Sequence, residues 1–136
     1  MNSLVIDATS TKIFLVIINS KNIYTSTHEN SKSNFDKLTI FINDFLKNNE
    51  ISINKIDQIY VNRGPGSYAG IRSSLSIVKA IHLSKKIDFY SYSHLDFSDK
   101  KNIQGEVNNL KNLRELPNLC NKFNVKKNLI KPIYLS

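Results

Sequence analysis

Asn62-Arg63-Gly64-Pro65-Gly66-Ser67-Tyr68-Ala69-Gly70-Ile71-Arg72 is the stretch around which this chain is organised. Before it, Ile56 to Val61 reads as a strand. After it, Ile71, Leu75, Val78 and Ile81 recur at helical spacing and predict a helix over 68–84, with Ser67 as its N-cap. Three of the chain's 4 glycines, Gly64, Gly66 and Gly70, fall in this loop, where they permit positive φ and close backbone approach. Pro65 stiffens the turn between the first two. Such a turn aims backbone N–H groups and about half a positive charge at whatever stands before the helix, which suits an anion or a carbonyl oxygen. The loop lacks the Gly-Lys-Ser/Thr of a P-loop and the spacing of a dinucleotide fingerprint, so phosphate binding and a tight structural turn both remain open.

Upstream, Ser3 to Asp7 is a short apolar run ending in a carboxylate, and Ala8-Thr9-Ser10 is a turn leading into a second run through Ile18. Asn19-Ser20-Lys21-Asn22 is another turn, and Ile23 to His28 is a third strand, so the chain opens as an antiparallel meander. Phe35, Leu38, Ile42, Phe45 and Leu46 then predict an amphipathic helix over 34–48. Downstream, Ile87 to Ser91 is a fifth strand. The order β-β-β-α-β-α-β implies an α/β fold with a mixed five-stranded sheet and two helices over residues 1–97. Residues 98–136 read as a short, mostly helical extension. It opens with the solvated Asp99-Lys100-Lys101-Asn102, has apolar positions at Val107, Leu110, Leu113 and Leu116, restarts at Pro117, and ends as an edge strand or extended tail over Leu129–Leu135.

The chain has 136 residues, 40% hydrophobic and 22% charged, within the globular range and enough for one domain with a real core. A single cysteine, Cys120, excludes an internal disulfide or a thiolate cluster and points to a reduced, cytoplasmic setting. No apolar run approaches the roughly 20 residues of a membrane helix, so no membrane partner is expected. The net charge is +8, of which residues 98–136 supply 8 basic against 3 acidic side chains. That tail is either a nucleic-acid contact or a solvated lysine surface.

The run from Ile59 to Ala80 strongly resembles the signature of the bacterial TsaB (YeaZ) family. Leu4-Val5-Ile6-Asp7-Ala8-Thr9-Ser10 looks like that family's first strand and Asp-Thr-Ser turn, with Ala8 in place of the usual threonine. Ser91-Tyr92-Ser93-His94-Leu95 resembles its post-strand segment, and Lys131-Pro132-Ile133-Tyr134-Leu135 its closing Pro-Val-Tyr-Leu motif. The resemblance implies an actin/Hsp70-like, ribonuclease-H-related N-lobe and a role in making threonylcarbamoyladenosine in tRNA. It implies a non-catalytic scaffold that pairs with a TsaD-like threonylcarbamoyltransferase, with a TsaE-like ATPase as third partner. No cofactor is expected on this chain itself, with ATP and metal on the partner subunit and tRNA contacted through the complex. Pairing in that family uses the two N-lobe helices, with the partner or with a second copy, and the residues assigned here to that surface are Phe35, Leu38, Ile42, Ile71, Ser74, Leu75 and Val78.

The residues agree with the resemblance on two counts. Catalytic relatives need a His-x-x-x-His pair on the first helix to hold a metal. Here Asn34 sits about where the first would fall, and His28, His82 and His94 are scattered. The second helix carries Ser73, Ser74, Ser76 and Ala80 among its apolar residues, which lets another helix approach closely. Asp7, Thr9 and Ser10 form either a nucleotide or anion site or a self-bonded turn. Arg63 and Arg72 flank the loop, placed for a partner carboxylate, a tRNA phosphate or the loop's own carbonyls. A free-standing nucleotide-binding enzyme of the actin-like or glycoprotease-like superfamily and a basic tRNA-binding module are the alternatives. The family usually continues into a substantial second lobe, for which only residues 98–136 are available here.

Overall fold

In the computed structural model, residues 1–31, 34, 36–97 and 113–134 are described. Five strands, β1 (Ser3–Asp7), β2 (Lys12–Ile18), β3 (Ile23–Glu29), β4 (Gln58–Asn62) and β5 (Asp88–Tyr92), form one sheet in the order β3-β2-β1-β4-β5. β1 sits at its centre, antiparallel to β2 and parallel to β4, which in turn is parallel to β5. All five β1 residues are buried, as a strand covered on both faces requires. The parallel steps are crossed by α1 (Leu38–Asn48) between β3 and β4 and by α2 (Tyr68–Lys85) between β4 and β5.

Both helices lie on one face of the sheet. Leu38, Ile42, Phe45 and Leu46 of α1 and Ile71, Leu75 and Val78 of α2 join Leu4, Ile6, Leu15, Ile17 and Ile59 in the main core. Each such buried side chain contributes about 1.5–3 kcal/mol of burial free energy. On the opposite face Val5, Val16, Tyr60 and Tyr92 pack with Phe97, Leu113, Leu116 and Cys120. Residues 113–134 thus share the sheet's core. Their helix, α3 (Leu116–Lys122), carries Pro117 in its first turn, where proline's missing N–H costs nothing.

The elements differ from the sequence reading mainly at their ends. α1 begins at Leu38, and Asn34, where the sequence reading began it, is also helical, with its side chain donating to the Glu29 carbonyl (2.7 Å). β4 starts two residues late, after a 3-10 turn at Ile53–Lys55 that Ser52 caps. Among the described residues, 129–134 make no edge strand. The C-terminal segment runs as an extended strap with isolated bridges at Lys127 and Tyr134, consistent with Pro132 lacking a donor. The helical positions Val107 and Leu110 lie outside the described residues.

Candidate functional site: the glycine loop, its strap and the outer helix face

The loop after β4 is held from three sides. Ser67 caps α2 as its spacing predicts, accepting from Gly70 N (3.3 Å), while its own N–H donates to Thr9 O (2.9 Å). Gly64 N donates to Asn62 Oδ1 (3.0 Å). Gly64 has φ +113°, and a Cβ there would strike the Ile133 carbonyl. Gly66 and Gly70 lie equally tightly on the carbonyls of Thr9 and Ala8. The structure therefore brings together two groups that the sequence kept apart, the glycine loop and the Asp7-Thr9-Ser10 turn. It does so by closing them on each other. Asp7 is 8% exposed; its Oδ1 accepts Thr9 N (3.0 Å) and Thr9 Oγ1 (2.6 Å), and its Oδ2 accepts Asn62 Nδ2 (3.1 Å). Asn30 Nδ2 ties down the Ala8 and Ser10 carbonyls, leaving its buried Oδ1 without a partner among the described residues. Ser10 itself is exposed.

Arg63 and Arg72 take different roles. Arg63 Nη2 pairs with Asp96 Oδ1 (2.5 Å) and Nη1 donates to Lys131 O (2.8 Å), with both charged side chains mostly buried. Asp96 Oδ2 also accepts Ser93 N (2.8 Å). Arg72 is at the surface, its Nη1 3.2 Å from the hydroxyl of Tyr68, whose ring stacks at a tilt on Tyr134 (4.6 Å). The strap is fixed further along by Asn128, in the left-handed region at φ 63°, which accepts from Phe89 N and donates to Asp88 Oδ1, both at 2.9 Å. The bond from Asn128, helped by the charge of Lys127, holds the Asp88 carboxyl below its ordinary range. Asp96 and Asn128 escaped the sequence reading because nothing local marks a carboxylate or amide 33 and 39 residues from its partner.

The residues assigned to a pairing surface require correction. Leu38, Ile42, Ile71, Ser74, Leu75 and Val78 are at most 3% exposed and packed inside the chain itself, and of these six Ile42 alone also borders the cleft between the two helices. Phe35 lies outside the described residues. The outward face of the two helices is made by other positions. A cleft of about 250 Å³ runs between them, lined by Thr39, Ile77, Ala80, Ile81 and Ser84. Ile40 (55% exposed) and Leu83 (62%) lie on the exposed faces of the same two helices. Two further clefts lie near the strap. One of about 270 Å³ is bordered by Arg63, Asp96, Lys126 and Lys131. The other, about 680 Å³, is floored by the stacked Tyr60 and Tyr90. Among the described residues no group of three His, Cys, Asp or Glu side chains stands together to hold a metal, and no helix is long and apolar enough to cross a membrane.

Comparison with known proteins bears on this geometry. A profile of the family described as TsaD, tRNA N6-adenosine threonylcarbamoyltransferase, matches residues 27–104, more than half of the chain. The chain is 28% identical over 98 residues to the tRNA threonylcarbamoyladenosine biosynthesis protein TsaB of Buchnera aphidicola subsp. Schizaphis graminum, covering 72% of this chain and 47% of that protein. It is 35% identical over 65 residues to the protein of the same name from Buchnera aphidicola subsp. Baizongia pistaciae, covering 41% and 29%. The matches thus span less than half the length of these relatives. The solved structure of YeaZ from Pseudomonas aeruginosa superposes with a TM-score of 0.65 at 15% identity, over 77% of this chain and 49% of that one. At that identity the likeness speaks to the fold, which is the actin-like, ribonuclease-H-like α/β arrangement the sequence implied. With the profile match and the named relatives taken together, the chain belongs to the TsaD family, in its TsaB (YeaZ) branch.

Proposed function

We propose that this chain is a non-catalytic scaffold in the synthesis of threonylcarbamoyladenosine in tRNA, and that it pairs with a TsaD-like catalytic subunit through the outward faces of α1 and α2. In this reading ATP and metal bind on the partner, a TsaE-like ATPase joins the complex, and tRNA is met by the assembly. The observation that carries the pairing is the cleft between the helices. Its walls alternate short side chains, Ala80 and Ser84, with the half-buried Ile77 and Ile81, the pattern that admits another helix at close range. Supporting the absence of catalysis on this chain, the Asp7 carboxylate already has both oxygens occupied by Thr9 and Asn62.

Co-purification with the TsaD-like protein of the same genome, followed by light scattering, tests this. The expected result is a stable complex that Ala80→Arg weakens at least about tenfold, equivalent to 1.4 kcal/mol. Ala80 is exposed, so the variant's own melting temperature should stay unchanged. Lack of a complex at micromolar concentration, combined with a rise in melting temperature on adding ATP, overturns the reading in favour of a free-standing nucleotide-binding protein.

A further inference from the structure

β3 is an edge strand, and its ladder with β2 shows which of its backbone groups point outward. Asn19 N donates to Asn22 O (3.0 Å) and Asn30 N to Thr11 O (2.9 Å), in the same register that runs through the strands. The residues of β3 bonded to β2 are therefore the even-numbered ones, since bonded and non-bonded pairs alternate. Ile23, Thr25, Thr27 and Glu29 turn their N–H and C=O groups away from the sheet. The Glu29 carbonyl agrees, because it accepts Asn34 Nδ2. Among the described residues nothing covers the outward groups of Ile23, Thr25 and Thr27.

The two edges of the sheet are treated differently. β5 is covered by the strap: Lys127 bridges to Tyr90, Asn128 N donates to Phe89 O (2.7 Å), and Ser91 Oγ donates to Leu129 O (2.5 Å). Apart from the charge of Glu29 at its last position, β3 has none of the usual protections. It is 7 residues long, its register is unbroken from Ile23 to Glu29, and it contains no Pro, Lys, Arg or bulge.

We propose that β3 is a self-association edge, on which a second copy of this chain lays its own β3 antiparallel about a two-fold axis at Thr25. Only outward residues can bond outward residues, which limits the registers to those pairing odd positions with odd. Centring on Ser26 or Thr27 would require the Glu29 carbonyl, which Asn34 already holds. Centring on Thr25 requires no such group. It pairs Thr25 with Thr25 and Ile23 with Thr27 of the second copy, for about six main-chain bonds at two per bonded pair. It also places Lys21 opposite Glu29 of the second copy at both ends. The Glu29 side chain is 73% exposed and meets only Lys12, at 3.6 Å, so it can take a second cation. Threonine pairs and opposite charges across strands both favour such a ladder. The edge lies beside the sheet, apart from the cleft between α1 and α2, and the inference does not rest on the TsaD-like pairing.

Light scattering of the purified chain at physiological salt tests this, using wild type, Thr25→Lys, Thr25→Glu and an equimolar mixture of the two variants. Thr25 is exposed, so both variants should still fold, with the wild-type far-ultraviolet circular dichroism spectrum. The expected masses are twice 15.6 kDa for wild type, 15.6 kDa for each variant alone, and the doubled mass again for the mixture, where opposite charges meet at the axis. A wild type that stays at the mass of one chain up to millimolar concentration overturns the proposal. So do variants that stay dimeric alone, and so does a mixture that stays monomeric.

Discussion

Replacing Arg63 by methionine keeps an unbranched apolar stem in place of the side chain's own and removes the charge that joins the glycine loop to the strap. Arg63 Nη2 and Asp96 Oδ1 stand 2.5 Å apart with side chains 15% and 22% exposed, and Nη1 reaches the Lys131 carbonyl at 2.8 Å. A hydrogen bond to a charged group is worth about 1.5–3 kcal/mol and one to a neutral carbonyl about 1. The remaining exposure lets water recover part of this, so the net cost of Arg63→Met is about 2–3 kcal/mol. Asp96→Asn keeps the acceptor for Ser93 N while removing the charge. The double variant should therefore show a coupling of about 1–2 kcal/mol. Urea denaturation followed by circular dichroism measures both, and the single substitution should lower the midpoint by about 1–2 M at an ordinary m-value. A cost below about 0.5 kcal/mol with no coupling would refute the reasoning and place the pair among exposed ion pairs that contribute nothing measurable.

Gly64→Ala forces a side chain into φ +113° and onto the Ile133 carbonyl, so it should cost about 2–4 kcal/mol and expose the strap to limited proteolysis before global unfolding. Burial pushes the Cys120 thiol from its ordinary 9.0 up to about 12, and burial raises the hydroxyls of Tyr60 and Tyr92 as well. In the unfolded chain these groups lose their protons at lower pH than in the folded one. Stability should therefore hold below about pH 9 and fall as the pH climbs toward 12, as urea midpoints at neutral pH and at about pH 10.5 will show. By the same burial, Cys120 should resist alkylating reagents in the native protein and react on unfolding.

The strand-loop-helix at the centre of the chain was legible because its signals are local. Ser67 before an apolar period of three and four, and glycines where the backbone turns, act within a few residues of themselves. The same holds for the five strands and their mixed directions, since apolar runs, turn chemistry and the succession of strands and helices need no knowledge of the partner. The pairing surface was misread for a related reason. The most regular apolar positions, Leu38, Ile42, Ile71, Leu75 and Val78, mark the stripe that a helix buries on its own sheet. What lies outside is less apolar: Ile77 and Ile81 of the cleft alternate with the short Ala80 and Ser84, and Ile40 and Leu83 stand singly, so composition does not set this face apart from ordinary surface.

The sequence by itself determined the class of fold, the capped second helix and the resemblance that the comparisons bear out. Tertiary structure alone decided what the glycines are for, since the carbonyls they admit belong to Ala8, Thr9 and Ile133, far away along the chain. It also gave Arg63 partners that the sequence had not offered, Asp96 and the Lys131 carbonyl of the same chain. The physical reason is range. Backbone propensity and periodicity are set by neighbours in sequence, whereas a hydrogen-bond partner or an exposed face is fixed only when distant segments fold together.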